Sequence, residues 1–539
     1  MKMYFRLALA VGFLLTASLP SMAGETLRLA PVRGNVPLSD RSSTAYFEVK
    51  RNGEVFQFQD HPVDVLVDED GKARFERPLF VLKDPGGEWR WQEGYLPILQ
   101  IGGETELMAS GDSLYVREGN RFTVWPSGAA TDGSTFEAVR MRTVAYWKDW
   151  FARGRTLPSL DARTDAAWKA CLVQALCCYA GRHPAYGAGN YHAMPHMAFP
   201  PTTLCMVETL VQFRHADEAA EMFLYYLRRF VRADGTIAYY GPSLSEYGGL
   251  MWCAAIVAEA RPARVPEIAS AMRPLVHTVL SMFQKYMPAQ KQASDGMLGP
   301  NRLLSGSPEA DTRGDRREYF HNNFQVLLGL RLVSAVYRAN GEKELAAETA
   351  GMAEVHERLI RRAYDASRLR LGGVPYEPGQ TNLVADIQSD ETMTFANYRY
   401  YPEMLETGFL SREDAELLCT YREKNNGEWH GMCQFTLPGR GHEVDNWPIA
   451  AYARGLLEYG MTDRFERVLK AHLDFYLSDD TYTAYEQIWN EGSPRTPAAP
   501  FCVPVQLVLP RLLGWRDSYR TWHERLQSGV PSPGSGCCD

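Results

Sequence analysis

Along most of this chain an apolar helix rich in small residues is followed, after a turn, by a more charged helix. That alternation limits the possible folds more than any other feature. The apolar members read as residues 200–213, 245–259, 318–339, 446–459 and 499–513; the charged ones read as 215–232, 265–287, 342–364 and 462–477, with Gly341 and Gly460 at two of the turns. Phe324, Leu327, Leu328, Leu332 and Ala335 keep helical spacing, as do Phe465, Val468, Leu469, Leu473 and Tyr476. Ser411 followed by Asp414 is capping-box-like and marks the start of another helix. A helix that is apolar on most sides has to be buried, while its charged partner faces water. Pairs of this kind stacked in a ring form an inner and an outer layer. The loops between pairs then collect at one end, where they can build a pocket.

Ahead of the helices the pattern changes. Ala45, Phe47 and Val49 alternate with more polar neighbours, Asn52-Gly53 is a hairpin signal, and Val63, Val65 and Val67 alternate before Asp70-Gly71. Residues 24–126 therefore read as a β-sandwich-like domain of antiparallel strands. A bridge with Pro126, Ser127, Gly128, Thr131 and Gly133 opens a linker and helix over 127–160, ahead of a helical domain over 161–528 and a tail over 529–539. The first 23 residues read as an export signal: Lys2 and Arg6 precede the apolar run Leu7 to Leu15, and Ser21-Met22-Ala23 offers small residues for cleavage. The expectation is an exported protein, periplasmic or extracellular, with no membrane span.

Charge narrows the partners. The 57 basic and 65 acidic side chains leave a net charge of −8 with no Lys/Arg-dense stretch, so nucleic acid is excluded as a partner and a neutral one is expected. Most of the ten cysteines sit singly in apolar helical runs (Cys171, Cys177, Cys178, Cys205, Cys253, Cys502) and read as core thiols. Cys537-Cys538 has no physical account beyond an untethered tail. No phosphate-cradling or dinucleotide motif is present, so no cofactor is implied. His192 and His196 have Pro195 between them, which breaks the helix a zinc pair would need. Asp68-Glu69-Asp70-Gly71 lacks the further ligands of a calcium loop, and no metal site is assigned.

The segment Asn446-Trp447-Pro448-Ile449-Ala450-Ala451-Tyr452-Ala453-Arg454-Gly455-Leu456-Leu457-Glu458-Tyr459-Gly460 is similar to a helix of glycan-trimming α-glucosidases and mannosylglycerate hydrolases. Tyr485-Glu486-Gln487-Ile488 with Gly492, followed by the apolar run Phe501 to Gly514, resembles the segment that carries their catalytic base and closes the ring. The helical part as a whole resembles the six-hairpin glycosidases. The fold so implied is mainly α, an (α/α)6 toroid preceded by an N-terminal antiparallel β domain. The implied activity is inverting hydrolysis of a carbohydrate substrate, with the general base near the C-terminus and the general acid in the loop before the helix at 318–339.

Hydrolysing a glycosidic bond by inversion needs two carboxylates facing each other across a sugar and a water. On the resemblance Glu486 is the base. The acid falls in Glu309-Ala310-Asp311-Thr312-Arg313-Gly314-Asp315-Arg316-Arg317-Glu318, with Asp315 and Asp311 ahead of Glu309, Glu318 and the more distant Asp390. An acid of this kind needs a raised pKa, and a neighbouring arginine works against it. Sugar rings also need flat apolar surface edged with hydrogen-bonding groups. Three loops supply these: 186–199 with Tyr191 and His192, 239–246 with Tyr240 and Glu246, and 390–401 with Asp390. Where many relatives show Trp-x-Arg-Asp, the first loop reads Tyr191-His192-Ala193-Met194-Pro195-His196. Trp447 and Gln487 join the expected substrate contacts. Asp445 could orient substrate or water, or cap the helix that follows.

Two rival readings use other residues. A polysaccharide lyase acting on an acidic glycan would use Tyr319, His321, Asn322 and Asn323, whose bland alternative is the polar start of an inner helix. A catalytically silent carbohydrate-binding protein would explain the missing clamp. Oligomeric state is not legible.

Overall fold

A computed structural model of the chain describes residues 35–39, 47–51, 65–67, 73–76, 79–82, 87–125, 127–158, 160–179, 181–187, 197–239, 241–285, 296–309, 316–379, 396–425, 427–437, 441–489, 495 and 501–533. The export signal, the Asn52-Gly53 and Asp70-Gly71 turns, His196 and Cys537-Cys538 lie outside them.

β1 (Asn35–Leu38) pairs antiparallel with β2 (Phe47–Arg51), and β2 pairs in parallel with β5 (Leu79–Leu82). β3 (Val65–Val67) and β4 (Ala73–Glu76) form a separate antiparallel pair. β6 (Trp89–Gln92), β7 (Leu96–Ile101), β8 (Thr105–Ser110), β9 (Ser113–Glu118), β10 (Arg121–Trp125) and β11 (Ala129–Ala130) follow one another as an antiparallel meander. One parallel pair thus interrupts an otherwise antiparallel strand region. α1 (Gly133–Arg153) begins where the Asp132 carboxylate accepts the Thr135 N–H at 2.7 Å, a side-chain cap for an otherwise orphaned donor.

The remaining helices build the ring. They are α2 (Ala162–Cys178), α3 (Pro200–Gln212), α4 (Ala216–Phe230), α5 (Leu244–Ala260), α6 (Val265–Met282), α7 (Phe320–Ala339), α8 (Lys343–Leu371), α9 (Tyr401–Glu406), α10 (Arg412–Lys424), α11 (Ile449–Glu458), α12 (Thr462–Ala471), the short α13 (Val503–Gln506), α14 (Val508–Ser518) and α15 (Trp522–Ser528). Neighbours on the inside run α3, α5, α7, α9, α11, α14, and α14 packs back against α3 to close the circle. α4, α6, α8, α10 and α12 each follow an inner helix on the outside, and α2 completes the last pair by packing on α14. This is the (α/α)6 toroid that the resemblance implies, built from the paired helices that the alternation predicts. α5 is buried along nearly its whole length, whereas α12 buries one face only. The turns at Gly341 and Gly460 use φ of 79° and 62°, a left-handed conformation that favours glycine. Ser411 caps α10 through the Asp414 N–H at 3.0 Å.

Two glycines set how closely the inner helices approach. A Cβ on Gly248 of α5 would meet the backbone of Gln325 in α7, and one on Gly329 of α7 would meet the Gly248 carbonyl oxygen. Overpacking against backbone cannot be relieved by a rotamer change. Gly248→Ala is therefore expected to cost at least about 1–3 kcal/mol, read as a drop in the urea midpoint. An unchanged midpoint would refute this account of the α5–α7 contact.

The strand region and the ring share one hydrophobic core, to which Leu38, Trp89, Trp91 and Leu99 contribute alongside Trp168, Leu172 and Leu176 of α2. Among the described residues, Cys171, Cys177, Cys178, Cys205, Cys253, Cys419, Cys433 and Cys502 are all buried. No helix among the described residues is long and apolar enough to cross a membrane.

At one end of the ring α15 is held by Trp522, whose indole N–H donates to the Glu406 carbonyl at 2.7 Å, and by Arg525 on Glu259 at 2.5 Å. Glu458 accepts the Tyr519 hydroxyl and the Trp522 N–H, and burial pushes its carboxyl up to about 7. A carboxyl raised on folding stabilises the protein below its unfolded pKa and loses that contribution as pH rises through 7. The stability difference between wild type and Glu458→Gln should therefore shift against the wild type between pH 5 and pH 8. Urea midpoints of both proteins at each pH measure it; a pH-independent difference would contradict this.

Candidate active site

A four-stranded sheet inside the helical part assembles the site. β14 (Glu428–Trp429), β15 (Met432–Leu437), β16 (Gly441–Asp445) and β17 (Gln487–Trp489) pair antiparallel in that order, with Asp445 opposite Gln487. This register carries Glu486 to the start of α11. The Asn446 N–H donates to the Glu486 carbonyl at 2.9 Å, and the Tyr476 hydroxyl reaches that carbonyl at 3.4 Å. Across the ring closure, the Tyr186 hydroxyl donates to Glu486 Oε2 at 3.1 Å. Glu486 is 9% exposed and Asp445 fully buried, so neither is a surface acid.

The two carboxylates form an unequal pair. Asp445 Oδ1 accepts the Trp447 N–H at 2.7 Å and Oδ2 accepts the Gln487 amide at 2.8 Å. Burial holds the Asp445 carboxyl well above the usual carboxylate range; the charge of Glu486 pushes the same way, against the two donated hydrogen bonds. Of the pair, Asp445 is the more deeply buried and Glu486 the more exposed. The segment preceding Glu486 is fixed from both sides: the Trp91 indole of β6 and the Gln174 amide of α2 both donate to the Thr481 carbonyl at 2.8 Å. The strand region thus supports the loop that presents Glu486.

Beside the pair lies a group of aromatic rings. Trp447 is 5.3 Å from Tyr398 and 6.1 Å from Phe199, which is 5.1 Å from Tyr239 and 5.5 Å from Tyr186. The Arg399 guanidinium lies 5.0 Å from the Trp447 ring. Arg399 itself is buried, binding Glu309 and Glu403 and donating to Ser245 Oγ at 3.1 Å. Tyr398 links these parts. Burial raises its phenol well above the ordinary value, and the charges of Asp445, Glu309 and Glu486 act in the same direction while Arg399 opposes them. A single side chain therefore senses both Glu486 and the start of the 309–318 loop.

The segment leading up to Glu309 is held by the polar start of α7. The Leu304 N–H donates to Asn323 Oδ1 at 2.8 Å, Asn322 Nδ2 donates to the Ser307 carbonyl at 3.0 Å, and His321 Nε2 lies 3.2 Å from the Pro308 carbonyl. Burial lowers His321 well below its ordinary pKa, so it is neutral. His321, Asn322, Asn323 and Tyr319 are all buried, and the three polar side chains of the group are engaged with backbone. They position Glu309. Glu318, further on, is clasped by the Asn301 and Leu303 N–H groups at 2.9 Å each.

Of the residues singled out from sequence, Glu486, Asp445, Trp447 and Gln487 come together here. Glu246 lies at the start of α5, where its Oε2 accepts the Ser243 N–H at 3.0 Å in a capping box and burial pushes its carboxyl up to about 8. The N-cap position of α11 is Pro448, so Asp445 holds the turn before that helix without being its cap residue. Asp311, Asp315, Tyr191, His192, Tyr240 and Asp390 lie outside the described residues. Sequence reading passed over Tyr186, Tyr398 and Arg399 as site residues. Arg399 between two tyrosines carries no motif, and only the fold shows that it is buried. Among the described residues no group of three or more His, Cys, Asp or Glu side chains is placed to hold a metal.

No family model and no curated protein matches this chain. Among solved structures, a bacterial glucoamylase complexed with acarbose is similar over 83% of this chain and 76% of its own, at 10% identity and a TM-score of 0.50. A glycosidase in complex with glucose aligns over 67% of this chain and 99% of its own, at 12% identity and a TM-score of 0.45. At these identities the likeness is one of fold, the six-hairpin ring.

Proposed function

We propose that this protein is an exported glycoside hydrolase that removes terminal sugars from a glycan or oligosaccharide with inversion. Glu486 activates the water, and a carboxylic acid from the 309–318 loop protonates the leaving oxygen. What supports this reading is the placement of Glu486: it is nearly buried, meets the Tyr186 hydroxyl across the ring closure, and follows a sheet register that sets it beside Asp445 and Trp447. The aromatic group around Trp447 offers a sugar an apolar face to rest on. Exo action follows from the expectation that loops between helix pairs close one mouth of such a ring into a pocket. Within the loop, Asp315 and Asp311 remain the acids of choice; Glu309 is engaged by the Arg399 guanidinium.

The test is hydrolysis of a panel of α- and β-linked glucosides and mannosides by the full-length protein, with the first-formed anomer followed by proton NMR. Inverted product supports the mechanism, and retained configuration removes it. The lyase alternative is disfavoured because His321, Asn322 and Asn323 are engaged with backbone. A new ultraviolet absorbance on acidic polysaccharides would reinstate it. Export is part of the proposal and rests on residues 1–23; mass spectrometry of protein from the periplasmic fraction should give a chain beginning at Gly24.

A further inference from the structure

Under Trp447 the ring axis holds a cavity of about 90 Å3 that every inner helix helps to line. One water takes about 10–15 Å3 of such space, so the chamber has room for several waters or for one sugar ring. Glu246 Oε1 and Gln325 Oε1 line it; both are buried, and neither accepts a hydrogen bond from the protein. The Gln325 amide is not open to reinterpretation by a flip: its Nε2 donates to Glu406 Oε1 at 2.6 Å and to the Glu403 carbonyl at 3.3 Å, so the end left over is the oxygen. Buried acceptors of this kind call for a donor.

Charge decides what that donor can belong to. Among the described residues lining the chamber, the carboxylates of Glu246, Glu403 and Glu406 stand against the guanidiniums of Arg399, Arg454 and Arg511. Each guanidinium is already engaged: Arg399 by Glu309 and Glu403, Arg454 by Glu208 and Glu406, and Arg511 by Glu208. An anionic guest would find no cation to spare and a cationic one no carboxylate to spare, so either brings a buried charge that nothing compensates. The lining suits a neutral molecule that carries hydroxyl donors. A hydroxyl both donates and accepts, so it serves Glu246 with or without a proton. Trp447, Trp252, Leu204 and Ala450 supply the apolar wall. Trp447 also ties the chamber to the Glu486–Asp445 pair, since its N–H donates to Asp445 Oδ1 at 2.7 Å.

We propose that the sugar this enzyme releases is neutral, neither a uronic acid nor an amino sugar, and that Glu246 and Gln325 set this specificity by reading its hydroxyls in the chamber. The inference rests on the hydrolase reading and deepens it by naming the substrate class. Loss of the hydroxyl that meets Gln325 removes one hydrogen bond, whereas a carboxylate or an ammonium on the sugar adds an unanswered buried charge. Rejection of charged sugars is therefore the steeper effect.

The test measures binding to the full-length protein without turnover, as Tm against the concentration of glucose, mannose, galactose, glucuronate and glucosamine. It is run at constant ionic strength and pH 6.5, where glucuronate is an anion and glucosamine a cation. A saturable rise of roughly 2–4 °C with at least one neutral sugar, and none with the two charged ones, is expected. Gln325→Met, which keeps the length of the side chain and removes the acceptor, should weaken that binding roughly tenfold. Should the variant not fold, the wild-type series decides: a charged sugar bound as tightly as the best neutral one overturns the proposal. Absence of any rise with neutral sugars overturns it too and assigns the chamber to water, as does unweakened binding by Gln325→Met for the two named residues. Failure of the hydrolase reading looks different: neutral sugars bind with the expected selectivity, yet no glycoside is cleaved.

Discussion

Glu486→Gln is expected to lower kcat roughly 10²–10⁴-fold, the usual worth of a positioned base, while leaving the fold intact. The amide oxygen can still accept the Tyr186 hydroxyl that Glu486 Oε2 accepts at 3.1 Å, and the backbone bond from Asn446 does not involve the side chain. Removing the charge also relieves Asp445, whose carboxyl Glu486 pushes upward. Urea midpoints should therefore be no lower than for the wild type, and activity alone should collapse. A variant retaining more than about a tenth of wild-type kcat would take Glu486 out of the mechanism.

The largest expected loss of stability comes from Arg399→Met. Glu309, Glu403 and Glu246 would then share a buried space without their guanidinium, and stranding buried carboxylates in this way costs about 3–5 kcal/mol. Burial already pushes Glu246 up to about 8, so acid helps the variant: protons can replace the lost charge, and the deficit should shrink from pH 8 to pH 5. Adding Glu403→Gln should restore part of it, since the two residues are coupled. A deficit below about 1 kcal/mol at pH 8 would mean that water reaches this cluster freely.

The helix pairs were legible because their periodicity runs for many residues and the two members of a pair differ in polarity. α9, spanning only Tyr401–Glu406, is too short for such a signal; only its partner α10 showed, through the Ser411 cap. The sheet β14–β17 was missed because strands such as Gly441–Asp445 mix polar and charged residues without alternation. α2 had no visible partner in the sequence, since it pairs with α14 from the other end of the chain. In the site, Glu486, Asp445, Trp447 and Gln487 stood out as local motifs. Arg399 and Tyr398 draw their place in the site from residues far away in sequence, such as Glu309, Ser245 and Trp447, and no local pattern reports that.

Ring closure has a consequence for synthesis. The Tyr186–Glu486 bond joins residues 300 apart and the Arg511–Glu208 bond residues 303 apart, while Trp91 meets the Thr481 carbonyl across 390. A nascent chain emerging from the ribosome holds α2 and α3 long before the segment that covers them exists. Their apolar flanks must wait, exposed, for the final stretch to be translated. Slow maturation and dependence on holding factors follow from topology alone. Premature termination anywhere before α14 would leave an unclosed arc with no shorter native state to fall back on.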